Sequence, residues 1–243
     1  MNSKISVVIP VYNEEGNIIE LIDEILPVIN KIGGEIIIID DNSNDLTCDL
    51  ILRKKDAVNE RILLIKHSKQ YGQSAGLLTG IKNANNNIIV TLDGDGQNDP
   101  KDIIPMMKIW EENKGDQDLL IIGHRQNRKD TWSRRYASLL AQRFRKYILS
   151  DATPDSGCGI KIFARSLFLS LPYFDHIHRF LPALTRRNGG SVISHAVSHR
   201  SRIAGVSKYS NWQRFRVGLL DLYGVSWLIK RSSFPIKLKD KEN

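Results

Sequence analysis

The chain has 243 residues, 41% of them hydrophobic and 26% charged, with 35 Lys and Arg against 27 Asp and Glu for a net charge of +8. This composition excludes disordered, collagen-like and disulfide-rich classes, and the length suits one large α/β domain or two small ones. The charge is divided along the chain: residues 1–118 carry net −8, 119–216 net +14 and 217–243 net +2, an acidic part suited to a cation or polar ligand before a basic part suited to phosphates, nucleic acid or anionic lipid. Cys48 and Cys158 form no CxxC pair and have no ligand-spaced histidines beside them, which favours a reducing compartment and argues against structural zinc. Ile5 to Val11 is too short for a signal peptide and is cut by Pro10. Val217 to Ile229 carries Asp221 and falls short of the roughly 20 residues of a membrane span.

In chain order, Ile5–Ile9 reads as a buried strand. Ile18, Ile22, Ile25, Ile29 and Ile32 mark an amphipathic helix that ends near Gly33-Gly34. Glu35–Ile39 is continuously apolar, as in a parallel strand covered on both faces, and Asp40-Asp41-Asn42-Ser43 falls at its C-terminal end. A helix over Cys48–Lys54, a strand over Arg61–Lys66, a helix over Ser74–Asn83, a strand over Ile88–Leu92, a helix over Asp102–Trp110 and a strand over Leu119–Ile122 continue a β-α rhythm. That rhythm predicts a mostly parallel sheet. Trp132, Tyr136, Leu140, Phe144 and Tyr147 predict a further helix. Regularity then fades through Gly157-Cys-Gly159-Ile-Lys-Ile-Phe163, before a strand within Ser191–His199 and a helix from Asn211 through Leu222. Neither a repeat nor a clear linker divides the chain, so one domain with two coupled halves is expected, followed by a polar tail.

The sharpest chemical feature is Asp93-Gly-Asp95-Gly-Gln97 directly after a buried strand. Two carboxylates one residue apart in a turn can converge on a divalent cation, and so few protein ligands suit Mg²⁺ or Mn²⁺ that keeps phosphate and water ligands. In a parallel sheet the C-terminal strand ends share one rim, so Tyr12, Asn13 and Glu14 and the pair Asp40 and Asp41 can join this site. Asp40 or Asp41 would accept from a ribose or base, Tyr12 would form an aromatic wall, and Asn13 would orient hydrogen bonds. GxGxxG after the first strand and GxxxxGK[ST] are both missing, which disfavours the dinucleotide and P-loop classes. His176 and His178 would lie together if their segment were extended, in a metal, pocket or packing role.

Several segments together resemble family 2 glycosyltransferases of the dolichyl-phosphate-mannose-synthase-like group. They are Val8-Ile-Pro-Val-Tyr-Asn-Glu14, Ile39-Asp-Asp-Asn-Ser-Asn-Asp-Leu-Thr47, Tyr71-Gly-Gln-Ser-Ala-Gly-Leu-Leu-Thr-Gly80, Asp93-Gly-Asp-Gly-Gln97, Gly123-His-Arg125, Arg134-Arg-Tyr-Ala-Ser138, Asp155-Ser-Gly-Cys-Gly-Ile-Lys161 and Gly205-Val-Ser-Lys-Tyr209. The resemblance implies a GT-A fold: a Rossmann-like three-layer α/β sandwich with a mostly parallel central sheet, and the short apolar runs of this sequence predict no transmembrane helices. It implies one domain over 1–232, with an amphipathic helical segment at 211–231 and a polar tail at 233–243. It also implies inverting transfer of a sugar from a nucleotide-sugar to a polyprenyl phosphate, such as undecaprenyl phosphate, assisted by Mg²⁺ or Mn²⁺. By the same resemblance Pro10, Tyr12, Asn13, Glu14, Asp40, Asp41, Gly72, Gln73 and Gly94 would join Asp93 and Asp95 around the donor. Asp93, Asp95 and Gln97 would hold the metal, and Arg125, Arg134, Ser138, Arg202 and Lys208 would grip the acceptor phosphate.

Catalysis would rest on Asp93, Asp95, Arg125 and Arg134, with Asp155 as a base or an orienting residue. Two alternatives stand beside this expectation: transfer to a saccharide hydroxyl in surface-polysaccharide synthesis, and a nucleic-acid-binding module, which would leave the acidic strand ends unexplained. Many relatives carry membrane spans after this domain, so the expected place is the cytoplasm, peripheral at the cytoplasmic face of the inner membrane in cell-envelope synthesis. Trp212, Phe215, Leu219, Leu222 and Trp227, bordered by Arg214, Arg216, Lys230 and Arg231, would there contact the membrane, a small membrane protein, or their own domain.

Overall fold

The computed structural model describes residues 4–57, 61–113, 116–125, 147–149, 151, 153–200 and 211–231, with the backbone alone over 211–217. Strands β1 (Ile5–Val11), β2 (Gly34–Asp40), β3 (Ile62–Lys66), β4 (Ile88–Thr91), β5 (Leu119–Arg125), β6 (Lys161–Ala164) and β7 (Ser191–Val197) form a seven-stranded sheet in the order β3-β2-β1-β4-β6-β5-β7. Four of its six pairings join strands that the sequence predicts or brackets, and these parallel ladders, β3-β2-β1-β4 and β5-β7, make it mostly parallel. β6 alone runs antiparallel, wedged between β4 and β5. The sequence reading saw only short irregular elements there, because a four-residue strand with a lysine at its start shows neither a long apolar run nor alternation.

Helices α1 (Ile18–Ile32), α2 (Thr47–Ala57), α3 (Gln73–Lys82), α4 (Ile103–Glu112), α5 (Arg165–Ser170), α6 (Leu181–Arg187) and α7 (Asn211–Lys230) complete the described chain. α1 packs against α2 and α4, whereas α3 and α6 meet the Ile177–Arg179 turn. The isoleucines that predict α1 are its buried stripe, and Gly33, at φ 92°, ends it by donating to the Ile29 carbonyl at 2.8 Å. β1 and β2 are buried along nearly their whole length, which explains their unbroken apolar sequence. The expected helix from Trp132 falls outside the described residues except at its last member, Tyr147, which lies in a helical stretch at 147–149 and is exposed, and the polar tail also falls outside them. In α7 the expected single apolar stripe divides: Leu222, Val225, Leu228 and Ile229 pack on the core, while Leu219, Leu220, Tyr223 and Trp227 face outward. The helix is apolar on two sides, so the spacing of a few residues could not assign them to one face. No helix among the described residues is long and apolar enough to cross a membrane.

Chain order and sheet order together place the site. From β1 the chain steps outward through β2 to β3, and then β4 lands on the other side of β1. The reversal leaves a crevice at the C-terminal ends of β1 and β4, where the loops holding Tyr12 to Glu14 and Asp93 to Gln97 diverge. α3 seals one flank of this crevice through close contact at two glycines. A Cβ at Gly76 would lie 2.8 Å from Pro10 Cβ, and one at Gly80 would press on Val8 and lie 2.6 Å from Ile39 Cδ1. Alanine normally favours a helix interior over glycine by about 1 kcal/mol. Here overpacking wins, and Gly80→Ala is expected to lower stability by about 1–3 kcal/mol in urea denaturation. An unchanged or higher midpoint would contradict that close approach.

Candidate functional site

On one side of the rim, the loops after β1 and β2 are tied to each other. Asn13 sits in the left-handed region at φ 52° and Asn42 at φ 65°, a conformation that asparagine tolerates better than most residues. The Asn13 N–H donates to Ser43 Oγ at 2.9 Å, Asn44 N–H donates to Asn13 Oδ1 at 2.9 Å, and Glu14 N–H donates to Thr47 Oγ1 at 2.8 Å. Glu14 Oε2 accepts from Asn17 at 2.7 Å. Tyr12 is half-buried beside them. Asp40 is fully buried and accepts from the Ser43 N–H at 3.1 Å. Asp41 organises the next loop: its Oδ1 accepts from Tyr71 N–H at 2.9 Å and meets His67 Nδ1 at 2.7 Å, and its Oδ2 accepts from Gly72 N–H at 2.7 Å. Gly72 needs its φ of 92° to turn the chain into α3.

That turn delivers Gln73 to the acidic pair, where its Nε2 donates to Asp93 Oδ1 at 2.7 Å. Asp95 is 9% exposed and accepts from the Gln97 N–H at 3.2 Å. Gly94 lets this loop pass β1, since a Cβ would lie 2.8 Å from Val11 Cγ1. Burial and the Asp95 charge push the Asp93 carboxyl above the usual carboxylate range, while Lys161, Arg125 and the Gln73 bond pull it down. Two crowded, partly desolvated carboxylates with an amide beside them fit a hard divalent cation, whose charge would relieve their repulsion. Among the described residues no group of three or more His, Cys, Asp or Glu is placed to hold a metal ion.

The loop before β6 supplies the opposite wall. Thr91 Oγ1 donates to the Gly159 carbonyl at 2.7 Å, and a Cβ at Gly159 would collide with the Asp93 carboxylate. Asp155 and Arg125 form a bidentate pair, Nε to Oδ2 at 2.6 Å and Nη2 to Oδ1 at 2.8 Å. The acceptor-phosphate and base candidates therefore partner each other. Arg134, Ser138, Arg202 and Lys208 lie outside the described residues. Lys161, passed over by the sequence reading, is only 3% exposed, and its ammonium donates to the Cys158 carbonyl. Burial lowers its affinity for the proton, against the nearby Cys158, Asp93 and Asp155. A lone lysine inside Ile160-Lys-Ile-Phe163 was the signal available. Cys158 is buried and its thiol is pushed up by burial, which suits packing rather than nucleophilic chemistry.

The arrangement is that of an α/β domain with an acidic and basic site at the edge of its sheet, and comparison with known proteins identifies its family. The model of glycosyl transferase family 2 matches residues 6–171. The dodecaprenyl-phosphate galacturonate synthase of Rhizobium johnstonii is 34% identical over 242 residues, covering 96% of this chain and 69% of that protein. Glucosyl-3-phosphoglycerate synthase of Mycobacterium tuberculosis in complex with UDP has a TM-score of 0.68 at 18% identity, over 93% of this chain and 80% of that one. Its complex with Mn²⁺, UDP-glucose and phosphoglyceric acid gives 0.67 at 17% identity, over 97% and 81%, and that with Mg²⁺ and UDP gives 0.69 at 17%, also over 97% and 81%. These solved structures are likenesses of fold, and they bear out the expected GT-A arrangement. The chain belongs to glycosyl transferase family 2 and is a glycosyltransferase.

The two histidines are not an extended pair. His176 adopts φ 65° and His178 lies in the Ile177–Arg179 turn, with ring centroids 6.3 Å apart. Their segment turns because Phe174 and His176 carbonyls accept from Ile177 and Arg179 N–H groups. His178 is buried with its Nδ1 2.9 Å from Ser74 Oγ, next to Gln73. Burial, then the charges of Lys161, Arg179 and His176, hold it well below the usual imidazole range. The folded state therefore keeps a neutral ring that the unfolded chain protonates below about pH 6.5. Its contribution is present above that pH and lost as pH falls. Urea denaturation at about pH 7.5 and 5.5 is expected to show the wild type losing roughly 1 kcal/mol relative to His178→Gln. Parallel losses would mean that His178 is not kept neutral.

Proposed function

We propose that this glycosyltransferase moves a sugar, with inversion, from a nucleotide-sugar to a polyprenyl phosphate, with undecaprenyl phosphate as the leading acceptor and Mg²⁺ or Mn²⁺ as the cation. The observation that carries this reading is the meeting at one sheet edge of the Asp93 and Asp95 carboxylates with the Arg125–Asp155 pair and buried Lys161. The Rhizobium relative, a dodecaprenyl-phosphate galacturonate synthase, supports the acceptor class. The mycobacterial complexes with Mn²⁺ or Mg²⁺ and UDP or UDP-glucose support the donor class and the cation.

In this reading Pro10, Tyr12, Asn13, Glu14, Asp40, Asp41 and Gly72 frame the nucleotide, and Gln73 and Gly94 set the Asp93 and Asp95 carboxylates. The bound cation, held by Asp93, Asp95 and Gln97, would offset charge on the departing diphosphate. An acceptor phosphate oxygen forms the new bond to the anomeric carbon as the bond to the nucleoside diphosphate breaks, and a single displacement inverts that carbon. Arg125, Arg134, Ser138, Arg202 and Lys208 orient the acceptor. A phosphate oxyanion needs no general base at neutral pH, whereas a saccharide hydroxyl does. Asp155, clamped by both arms of the Arg125 fork, is better placed to orient that arginine than to collect a proton, which favours the phosphate acceptor.

For access to a lipid, the outward Leu219, Leu220, Tyr223 and Trp227 of α7, with Lys230 and Arg231 at its end, suit the anionic cytoplasmic face of a membrane. Vesicle flotation is expected to fall sharply when Leu220, Tyr223 and Trp227 are all replaced by Gln. Equal flotation would instead favour docking on a small membrane protein.

Incubation with a panel of UDP- and GDP-sugars, Mg²⁺ or Mn²⁺ and undecaprenyl phosphate is expected to give a lipid-linked sugar by mass spectrometry. No product from folded protein would overturn the proposed acceptor. Asp95→Asn is expected to cut turnover by about 100-fold or more. Arg134→Ala is expected to raise the KM for lipid while sparing donor affinity, and equal loss of both would contradict its assignment.

A further inference from the structure

Where the chain leaves β7 it is fastened to the segment that follows the acidic pair. Arg200 N–H donates to the Gln97 carbonyl at 3.0 Å, and Gln97 Nε2 donates back to the Arg200 carbonyl at 3.4 Å. Asn98 and His199 form an antiparallel bridge, and Ser198 N–H donates to Asp102 Oδ2 at 2.8 Å. The Arg200 side chain closes this staple from the other side. Its Nη1 lies 2.6 and 2.8 Å from the two carboxylate oxygens of Glu24 in α1, and its Nη2 lies 2.6 Å from Asp99 Oδ2. Asp99 in turn caps the Pro100–Asp102 turn by accepting from Lys101 N–H at 3.0 Å.

An isolated surface ion pair contributes little. Arg200 differs because one guanidinium joins carboxylates from two distant segments, while its own peptide groups exchange hydrogen bonds with Gln97. Gln97 is thereby held between Asp95, which accepts its N–H, and Arg200, which accepts from its amide nitrogen. With its NH₂ engaged, the carbonyl oxygen is what Gln97 has to offer a cation. Arg202 follows two residues later in the sequence, and Lys208 six residues after that.

Resting on the reading of Asp93, Asp95 and Gln97 as the donor-cation side, we propose that Arg200 is a positioning residue that couples this motif to the exit of β7. Occupation of the donor side then steadies the chain leading into the acceptor candidates, and a change at Arg200 weakens lipid use without removing donor binding.

The test uses the full chain with MnCl₂ and UDP, read by hydrogen exchange over residues 94–102 and 195–200, together with steady-state kinetics on undecaprenyl phosphate. In the wild type, Mn²⁺ and UDP are expected to slow exchange at 198–200 by about 10-fold. Arg200→Ala should lose this protection while binding UDP within about 3-fold of wild type, and its KM for lipid should rise about 5- to 20-fold with little change in the KM for donor. Arg200→Lys, which keeps the charge but not the fork, should recover part of the effect. Glu24→Gln, which leaves the Asp99 contact, should give a smaller shift and serves if Arg200→Ala folds poorly.

Equal protection in wild type and Arg200→Ala overturns the coupling, and so does donor affinity that falls in step with lipid KM. Failure of both proteins to bind UDP with Mn²⁺ removes the donor reading and the coupling with it. Protection of the wild type that is lost in the variant, with no lipid product from either, upholds the coupling and sinks the acceptor reading alone.

Discussion

The antiparallel insertion of β6 between β4 and β5 is the constraint on which the site depends. Parallel strands alone would place only their C-terminal ends at the rim. A reversed strand brings its N-terminal end there instead, so the loop carrying Asp155 and Gly159 and the first strand residue, Lys161, arrive beside the end of β4. The Thr91–Gly159 hydrogen bond fixes that arrival, and the missing side chain at Gly159 lets Asp93 occupy the space. Arg125 reaches the rim from the C-terminal end of β5, but without the reversal Lys161 and Asp155 would have no structural reason to face the acidic pair.

Around this junction the half of the rim built from the loops after β1 and β2 is held mainly by hydrogen bonds to backbone groups. Asp41 alone accepts from two consecutive N–H groups, Tyr71 and Gly72, and this aims Gln73 at Asp93. These bonds join loops about 30 positions apart and restrain chain already anchored at strand ends, which preorganises that part of the rim. The other half relies on side-chain ion pairs, Arg125 with Asp155 and Arg200 with Glu24 and Asp99.

Much of the fold was legible in the sequence because its signals are local. The Ile5-Ser-Val-Val-Ile9 segment marked β1, the continuous Ile36–Ile39 run marked β2, a three-four spacing marked α1, and Gly33 marked its end. The acidic motif was legible for the same reason: Asp93, Asp95 and Gln97 are neighbours in sequence. What escaped was long-range. β6 has four residues and takes its meaning from two flanking strands, and the paired state of Arg125 and Asp155 depends on side chains 30 positions apart. Lys161 reads as an ordinary surface lysine until the sheet buries it. Division of the apolar residues of α7 between two faces likewise needed the packing of Val225 on the core before Leu220 and Tyr223 could be assigned outward.

The charge division seen along the sequence takes a different form in space. Net −8 and net +14 segments suggest two separate territories, yet Lys161 and Arg125 from the basic segment both act on Asp93 from the acidic one. Even with Lys161 protonated, the carboxylates of Asp93, Asp95 and Asp155 outnumber the two cations that face them. Burial makes this imbalance costly, as the raised proton affinity of Asp93 indicates. A rim built this way is short of positive charge when empty, and a divalent cation would carry it past neutrality. The surplus would then favour an anion with several negative oxygens over a neutral ligand, so a cation bound there, as proposed, would also make the rim suit a diphosphate.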